Sequence, residues 1–306
     1  MKTDKLHKYL RNPLLLFWRL GLDGHFKFLP DELYLRICFR IKMGYSLNLE
    51  SPRTFNEKIQ WLKLHDRRPE YTRLVDKLEV RNYIQSRVGE EHLVPLLGVW
   101  DHADAIDFSA LPDQFVLKCT HDSASAVICP DKSKLDEKAV RKKLARHLHR
   151  NYFWAGREWP YKNVTPRIMA EQYVSNADGT PLIDYKFFCF NGQPQTIEMH
   201  LDRSSALRIN TYDPDWRFLP FSTVNYPNDP SRIAPRPDKL DEMLSFVKRI
   251  VPHCPFVRAD IYVVGDRIYF GELTLYRSGG LEAFAPEQFD QILGDWITLP
   301  DPAQDP

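Results

Sequence analysis

The stretch FVRADIYVVGDRIYFGELTLYRSGG, residues 256–280, carries the clearest structural pattern in the sequence. Two apolar runs, Phe256–Val264 and Arg267–Thr274, have the alternation and β-branched content of strands. They are separated by Gly265-Asp266, a dipeptide typical of a two-residue hairpin turn. The stretch therefore predicts an antiparallel hairpin inside a sheet.

Asp260 and Glu272 lie opposite each other on this hairpin, to within about one residue of register. Two carboxylates on rigid strands form a good platform for Mg²⁺, because the ion takes a few oxygen ligands from the protein and shares the rest with phosphates. An ordinary cross-strand pair neutralised by Arg258 or Arg267 explains the same pattern equally well.

A second segment, QFVLKCTHDSASAVI at residues 114–128, places Lys118 on an apolar strand. A lysine in that setting needs an anionic partner. The small residues that follow it allow backbone N–H groups to approach a phosphate. The segment is not a Walker A loop, because GK[ST] is absent. The commoner explanation is a lysine whose ammonium reaches solvent at a strand end.

Hydrophobic periodicity elsewhere predicts a mixed α+β chain whose first quarter is helical. Helices are predicted at residues 31–45, 55–66, 69–88, 134–149 and 238–251. Further strands are predicted at 93–99, 115–120, 126–129, 168–174, 182–190, 195–200 and 206–212. Residues 1–50 are expected to form a helical N-terminal segment, and residues 51–300 the main domain.

Composition excludes several classes of protein. The 306 residues carry 42 basic and 41 acidic side chains, a net charge of +1, so no global attraction to nucleic acid is expected. The five cysteines are odd in number and lack CxxC spacing, which argues against a disulfide framework or a structural zinc site. A reducing, cytoplasmic location is expected. Residues 1–30 mix basic and apolar side chains and could touch the inner face of a membrane, although a helix packed on the core is favoured.

Several collinear segments between about residues 50 and 290 resemble the TupA-like ATP-grasp family, named for teichuronopeptide biosynthesis. They are SPRTFNEKIQWLKLHD, DKLEVRNYI, FVLKCTHDSAS, PRIMAEQYV, DYKFFCFNGQP and the final hairpin. The resemblance implies an ATP-grasp fold, in which two α+β lobes grip ATP. It also implies a lobe with the Lys77 helix, a central lobe at about 115–200 and a metal-binding lobe at about 201–300.

The same resemblance implies roles for individual residues. ATP would be bound by Lys77, Lys118, His121, Ser123, Ser125, Glu171, Gln172, Tyr173, Val174 and Asp184. Lys186, Arg203 and Arg277 would act in catalysis and bind the substrate. Asp260, Glu272 and Thr274 would bind Mg²⁺. The chain departs from the family pattern at Ala124, Lys186 and Thr274, where glycine, arginine and asparagine are expected.

The implied reaction is ATP-dependent ligation of a carboxylate to an amine through an acyl-phosphate. The family context implies that an amino acid is joined to a uronic acid of a surface polysaccharide. The aromatic segment 151–163 suits a sugar acceptor, or is simply a locally packed loop. A phosphotransferase and a glycosyltransferase or binding protein are the alternatives. The only resemblance to a sugar-nucleotide motif is Asp213-Pro214-Asp215, which lacks the expected strand-end context.

Overall fold

The computed structural model describes residues 13–201 and 207–301, and the predicted mixed α+β class is confirmed. The helices are α1 (Pro13–Leu22), α2 (Asp31–Met43), α3 (Phe55–His65), α4 (Glu70–Val75), α5 (Val80–Val88), α6 (Glu137–Leu148), α7 (Phe153–Gly156), α8 (Leu240–Ile250) and α9 (Gln288–Asp295). The strands are β1 (Leu96–Trp100), β2 (Phe115–Cys119), β3 (Val127–Cys129), β4 (Ile168–Gln172), β5 (Asp184–Phe190), β6 (Gln193–Leu201), β7 (Arg208–Tyr212), β8 (Phe218–Leu219), β9 (Ser222–Thr223), β10 (Phe256–Val264), β11 (Arg267–Thr274) and β12 (Phe284–Ala285).

Two antiparallel sheets dominate the described chain. The smaller has four strands in the order β1-β4-β2-β3, and the larger has six in the order β11-β10-β5-β6-β7-β8. The predicted final hairpin is confirmed with the same strand limits, and Asp260 is paired with Glu272 across the ladder. The register shifts immediately after this pair, at a bulge between Asp260 and Ile261.

Each sheet belongs to its own hydrophobic core. The six-stranded sheet shares one core with α2, α3 and α8, whereas the four-stranded sheet packs against α6 in a second core. Helix α3 is fixed by a capping box in which Thr54 and Glu57 bond each other's backbone N–H groups. A cleft lies between the two sheets and holds most of the predicted site residues.

The third predicted helix, residues 69–88, is wrong as a continuous element. Asp76 has extended backbone angles (φ −73°, ψ 114°) and ends α4 there. Its Oδ1 accepts hydrogen bonds from the backbone N–H groups of Leu78 (2.9 Å) and Glu79 (3.4 Å). Between these residues, the Lys77 N–H donates to the carbonyl of Thr120 at 3.0 Å. The break therefore ties Lys77 to the end of β2.

The N-terminal segment packs on the protein within the described residues. Phe17, Trp18 and Phe26 contact the larger core, and Phe17 stacks on Phe26 with 4.2 Å between ring centroids. None of the helices in residues 13–201 and 207–301 has the length and apolarity needed to span a bilayer. Residues 1–12 of the predicted membrane-contact segment lie outside the described residues, so that contact stays a prediction. All five cysteines are buried and free.

Candidate active site

A cleft of about 830 Å³ lies between the two sheets. This volume is within the range of small-ligand sites. One wall comes from β2, β3 and β4, and the other from β5, β10 and β11. Twelve of the predicted site residues line it: Lys77, Lys118, Ser123, Ser125, Glu171, Gln172, Tyr173, Val174, Asp184, Lys186, Asp260 and Glu272. The fold thus brings together residues that are far apart in the sequence.

Lysines from both sheets supply positive charge in the cleft. Lys118 Nζ lies 2.5 Å from Glu171 Oε2, and Arg81 NH1 lies 3.0 Å from Glu171 Oε1. Lys186 contacts Asp184 Oδ2 at 2.7 Å and also pairs with Asp260. Each lysine is therefore held in place by a carboxylate, which fixes its direction before a ligand binds.

Lys77 approaches the same region from the break between α4 and α5. Its Nζ donates a hydrogen bond to the carbonyl of Asp122 at 2.5 Å. Burial lowers the pKa of Lys77, while Glu272 acts in the opposite direction. Because burial disfavours the charged form of Lys77, an anion that enters the cleft would stabilise that charge further. Lys77 is therefore well placed to bind a phosphate oxygen.

The loop at residues 121–125 is anchored at both ends. Asp122 pairs with Nδ1 of buried His147 on α6, and the Ser125 hydroxyl accepts a 2.9 Å hydrogen bond from the Cys119 N–H. Ser123 remains exposed at the tip. These bonds hold the loop against the cleft, where its backbone could meet phosphate oxygens.

His121 does not line the cleft. Its ring is buried, and Nε2–H donates to the carbonyls of His147 (3.2 Å) and Arg150 (2.9 Å) at the end of α6. The histidine therefore ties the loop to α6, and its predicted contact with the nucleotide has no geometric support in the described chain.

Ala124 has φ +66°, a left-handed conformation that favours glycine. This explains physically why relatives are expected to carry glycine here. We expect Ala124→Gly to stabilise the protein by about 0.5–1 kcal/mol, because relief of the left-handed strain outweighs the added chain entropy. Thermal unfolding should show a midpoint about 2 °C higher. An unchanged or lower midpoint would mean that the loop does not hold this conformation.

A polar row crosses the six-stranded sheet on one face. Glu272, Asp260, Lys186, Glu198 and Thr211 are directly paired from β11 through β10, β5 and β6 to β7. Directly paired residues share a face of an antiparallel sheet. The row therefore runs from the cleft into the interior of the larger sheet.

Arg258 bridges the Asp260–Glu272 pair. This is the arrangement expected for an ordinary cross-strand pair that an arginine neutralises. Arg258 Nε lies 2.6 Å from Asp260 Oδ1, and Arg258 NH2 lies 2.9 Å from Glu272 Oε1. Burial alone would lower the pKa of Arg258, but Asp260 and Glu272 outweigh burial and raise it. Of the two arginines that the sequence offered as neutralising partners, Arg258 makes these contacts. It lies two residues before Asp260, which puts both side chains on the same face of β10.

The carboxylate pair also fits a magnesium ion that is shared with phosphates. Among the described residues, no cluster of three or more His, Cys, Asp or Glu side chains could hold a metal ion. Mg²⁺ often binds through one or two carboxylates and takes its remaining ligands from water and phosphate. The Glu272 side chain is 43% exposed and lines the cleft beside buried Asp260, so both carboxylates are placed for that use.

Thr274, Arg277 and Arg203 have different positions from the other predicted site residues. The Thr274 hydroxyl lies 3.4 Å from Glu272 Oε1, on the same face of β11. Arg277 is buried between Glu198 (3.0 Å) and Glu282 (2.9 Å), away from the lining of the cleft. Arg203 lies outside the described residues. The roles predicted for these three residues stay predictions.

Several buried polar atoms without a hydrogen bond lie next to the polar row. Thr196 Oγ1, Thr211 Oγ1, His200 Nδ1 and Arg277 Nε are buried without a hydrogen-bond partner in residues 13–201 and 207–301, and His200 Nε2 lies 3.6 Å from Glu198 Oε2. Buried polar atoms normally have partners. Burial alone would raise the pKa of neighbouring Glu198, but Arg277 lowers it to about 2. This part of the sheet is therefore ionised and has unused hydrogen-bonding capacity.

Residues Glu171–Val174, at and beyond the end of β4, form the other end of the cleft. β4 lies between β1 and β2, so Glu171 and Gln172 are paired within the sheet and are not at its edge, contrary to the expectation of free main-chain groups there. Beyond the end of β4, the backbone N–H and C=O groups of Tyr173 and Val174 make no backbone hydrogen bond in the described chain. Both residues line the cleft. Free main-chain donors and acceptors of this kind can read the edge of a purine base.

Sequence reasoning missed three contributors to the site. Arg81 on α5 pairs with Glu171, and His147 on α6 pairs with Asp122. Tyr161 borders a small cavity beside Lys77, Lys118 and Glu272. These contacts join residues 25 or more positions apart. Only the aromatic content of segment 151–163 gave any signal.

A family model described as TupA-like ATPgrasp matches residues 57–298. The chain is similar to D-alanine–D-alanine ligase from Bacillus anthracis in complex with ATP, with 13% identity, a TM-score of 0.36 and coverage of 66% of this chain and 54% of that chain. It is also similar to the ATP-grasp ligase PsnB in complex with a minimal precursor, Mg and ADP, with 12% identity, a TM-score of 0.36 and coverage of 72% and 57%.

A third similar structure is the RimK domain protein ATP-grasp from Sphaerobacter thermophilus, with 11% identity, a TM-score of 0.40 and coverage of 74% of this chain and 68% of that chain. No curated protein matches the sequence. The chain spans 54% and 57% of the length of the first two structures.

Proposed function

Because the chain belongs to the TupA-like ATP-grasp family, we propose that it is an ATP-dependent carboxylate–amine ligase. The ATP-grasp fold predicted from the sequence follows from the family match over residues 57–298. The observation that carries the proposal is the convergence of Lys77, Lys118 and Lys186 with Asp260 and Glu272 on one cleft between two sheets.

Charge and shape support an ATP orientation in this cleft. The base would lie at Tyr173 and Val174, whose main-chain groups are free to bond it. The phosphates would lie toward Lys118 and Lys77, under the loop at residues 121–125. Mg²⁺ held by Asp260 and Glu272 would neutralise phosphate charge during transfer.

In the proposed reaction, a substrate carboxylate oxygen attacks the terminal phosphorus of ATP, and ADP leaves. The lysines stabilise charge on the transferred group and hold the two reactants in line. An amine then attacks the acyl-phosphate, so that the C–N bond forms and phosphate departs. No protein nucleophile is needed in this reaction.

The part of the cleft around Lys186 is the best candidate for the acid-binding side. Lys186 lines the cleft and would bind the carboxylate, whereas Thr196 and Thr211 behind it are fully buried and do not line the cleft. As the family resemblance implies, we propose a uronic acid of a surface polysaccharide as the acid, an amino acid as the amine, and a cytoplasmic site of action.

Hydroxylamine trapping tests this function. The purified protein is incubated with ATP, Mg²⁺ and each of several uronic acids, with and without amino acids, while ADP and hydroxamate are measured. We expect hydroxamate to form with the true acid, because hydroxylamine captures an acyl-phosphate. ADP release with a stable phosphorylated hydroxyl and no hydroxamate would indicate a phosphotransferase instead. Absence of ADP release with every acid would contradict both reactions.

A further inference from the structure

Glu158 is a buried carboxylate that has no role in the reaction proposed above. The residue is 7% exposed. Burial and the charge of Lys63 are the influences on its ionisation, and its side chain has no hydrogen bond or direct ion pair within residues 13–201 and 207–301. A buried carboxylate without a hydrogen bond is costly even with a cation nearby, so it calls for a ligand or a chemical role.

The space in front of Glu158 is bounded by a glycine and a lysine. A β-carbon added at Gly279 would lie 3.5 Å from Glu158 Oε1 and 3.6 Å from Lys63 Nζ. Lys63 is fully buried, and its Nζ donates to the carbonyl of Gly279 at 2.6 Å. The carboxylate and the ammonium therefore face one another across Gly279, where a side chain would fill the gap.

Tyrosines lie near the same residue, since the Tyr161 N–H donates to the Glu158 carbonyl at 3.1 Å and the Gly279 N–H donates to the Tyr276 carbonyl at 2.8 Å. Glu158 is the largest influence that raises the pKa of Tyr152, and it also raises the pKa of Tyr161 and Tyr276, for which burial comes first. Tyr152 and Tyr161 pack edge to face, with 4.9 Å between ring centroids. The Tyr276 hydroxyl is buried without a hydrogen-bond partner in the described chain. Aromatic faces and a carboxylate together form the chemistry that binds an ammonium group.

The tyrosines connect this pocket to the phosphate end of the cleft. Asp122 and Glu272 also raise the pKa of Tyr152, whereas Ser123 lowers it. Tyr161 borders the small cavity that Lys77 and Glu272 line. Glu158 itself does not line the cleft, and Tyr161, which is one turn away, connects it to the phosphate end.

We propose that Glu158 binds the ammonium group of the amine substrate and takes a proton from it. This inference rests on the proposed ligase function and names the residue that prepares the nucleophile. Glu158 accepts one proton, and the freed amine attacks the acyl carbon. The C–N bond forms as the C–O bond to phosphate breaks. The second N–H proton leaves with the phosphate, and Glu158 returns its proton to solvent.

The ionisation of the pocket agrees with this role. Burial raises the pKa of Glu158 to about 7, with Lys63 acting in the opposite direction. Burial lowers the pKa of Lys63 to about 8. The titratable groups that face Glu158 are Lys63 and the tyrosines 152, 161 and 276. Because the carboxylate is ionised above a pH of about 7, amide formation should fall as the pH drops through that value.

Glu158→Gln separates this role from ATP chemistry. The probes are hydroxylamine, which is uncharged at neutral pH, and the standard L-amino acids supplied singly with galacturonate or glucuronate. We expect the variant to keep hydroxamate formation near the wild-type rate and to lose about 10²-fold or more in amide formation. The pH dependence of amide formation near 7 should disappear as well.

Equal loss of hydroxamate and amide would assign Glu158 a structural role and overturn the inference, as would unchanged amide formation. Hydroxamate formation without amide from any amino acid in the wild type would also overturn it. Absence of hydroxamate in the wild type would instead contradict the proposed function itself.

Gly279→Ala provides a second variant that keeps the carboxylate. It places a methyl group between Glu158 and Lys63, and we expect a higher KM for the amine with little change in hydroxamate formation. Gly265→Ala is the matched control, since Gly265 also has positive φ (+55°, against +62° at Gly279) but has open space around it. An equal effect of both substitutions on KM would mean that backbone strain alone is responsible, and would overturn the inference.

Discussion

Lys118→Ala is expected to weaken ATP binding about 10²-fold, or about 2.7 kcal/mol, because it removes a fixed cation from the phosphate end of the cleft. The fold should survive, since Glu171 keeps its 3.0 Å ion pair with Arg81 after Lys118 is lost. Isothermal titration calorimetry with a non-hydrolysable ATP analogue and Mg²⁺ measures the effect.

Lys142→Ala is a suitable control, because Lys142 is exposed on α6 and does not line the cleft. It removes the same charge from the molecule, so that any long-range electrostatic effect appears in both variants. Equal affinities for Lys118→Ala and Lys142→Ala would contradict the placement of the phosphates beside Lys118.

Glu272→Gln should have the second large effect, a fall of about 10²- to 10³-fold in the rate of ADP release. Glu272 is partly exposed and bonded by Arg258 on one oxygen, so the amide can be accommodated. We expect the Mg²⁺ concentration for half-maximal rate to rise strongly, because one of two carboxylate ligands becomes neutral. A magnesium titration of ADP release measures this shift.

Two further variants are compared with Glu272→Gln: Asp260→Asn removes the other carboxylate of the pair, and Glu287→Gln is the control. Asp260 is buried between Arg258 and Lys186, so its neutralisation should also destabilise the fold, by about 3–5 kcal/mol. Glu287 is exposed and remote, so its substitution should leave the magnesium dependence unchanged. If Glu272→Gln keeps the wild-type magnesium dependence, the carboxylate pair serves only as a partner for Arg258.

The sequence predicted those parts of the fold that depend on neighbours along the chain. The final hairpin was predicted with its true limits because alternating apolar residues and a Gly-Asp turn act locally. The helix predicted at 69–88 failed because its break depends on Thr120, which accepts the Lys77 N–H from a distant strand. Periodicity contains no information about such a contact.

The candidate site shows the same division. Lys118, Asp260 and Glu272 were found from residue type and strand position, and all three line the cleft. His121 and Arg277 had equally suitable chemistry, but their partners come from α6 and β6, so their burial could not be seen in the sequence. Glu158 could not be identified from the sequence either. It stands out because its buried carboxylate has no hydrogen bond in the described chain, and a sequence does not show which contacts a side chain lacks.

Transfer of ¹⁸O from the acid tests the central claim most directly. The carboxylate substrate is labelled with ¹⁸O, the ligation is run with unlabelled ATP, and the released phosphate is examined by mass spectrometry. An acyl-phosphate mechanism predicts one ¹⁸O atom in each phosphate, because the carboxylate oxygen that attacks ATP departs with the phosphoryl group. Phosphate without label would contradict the account, because the oxygen that the carboxylate loses on amide formation would then have left by another route.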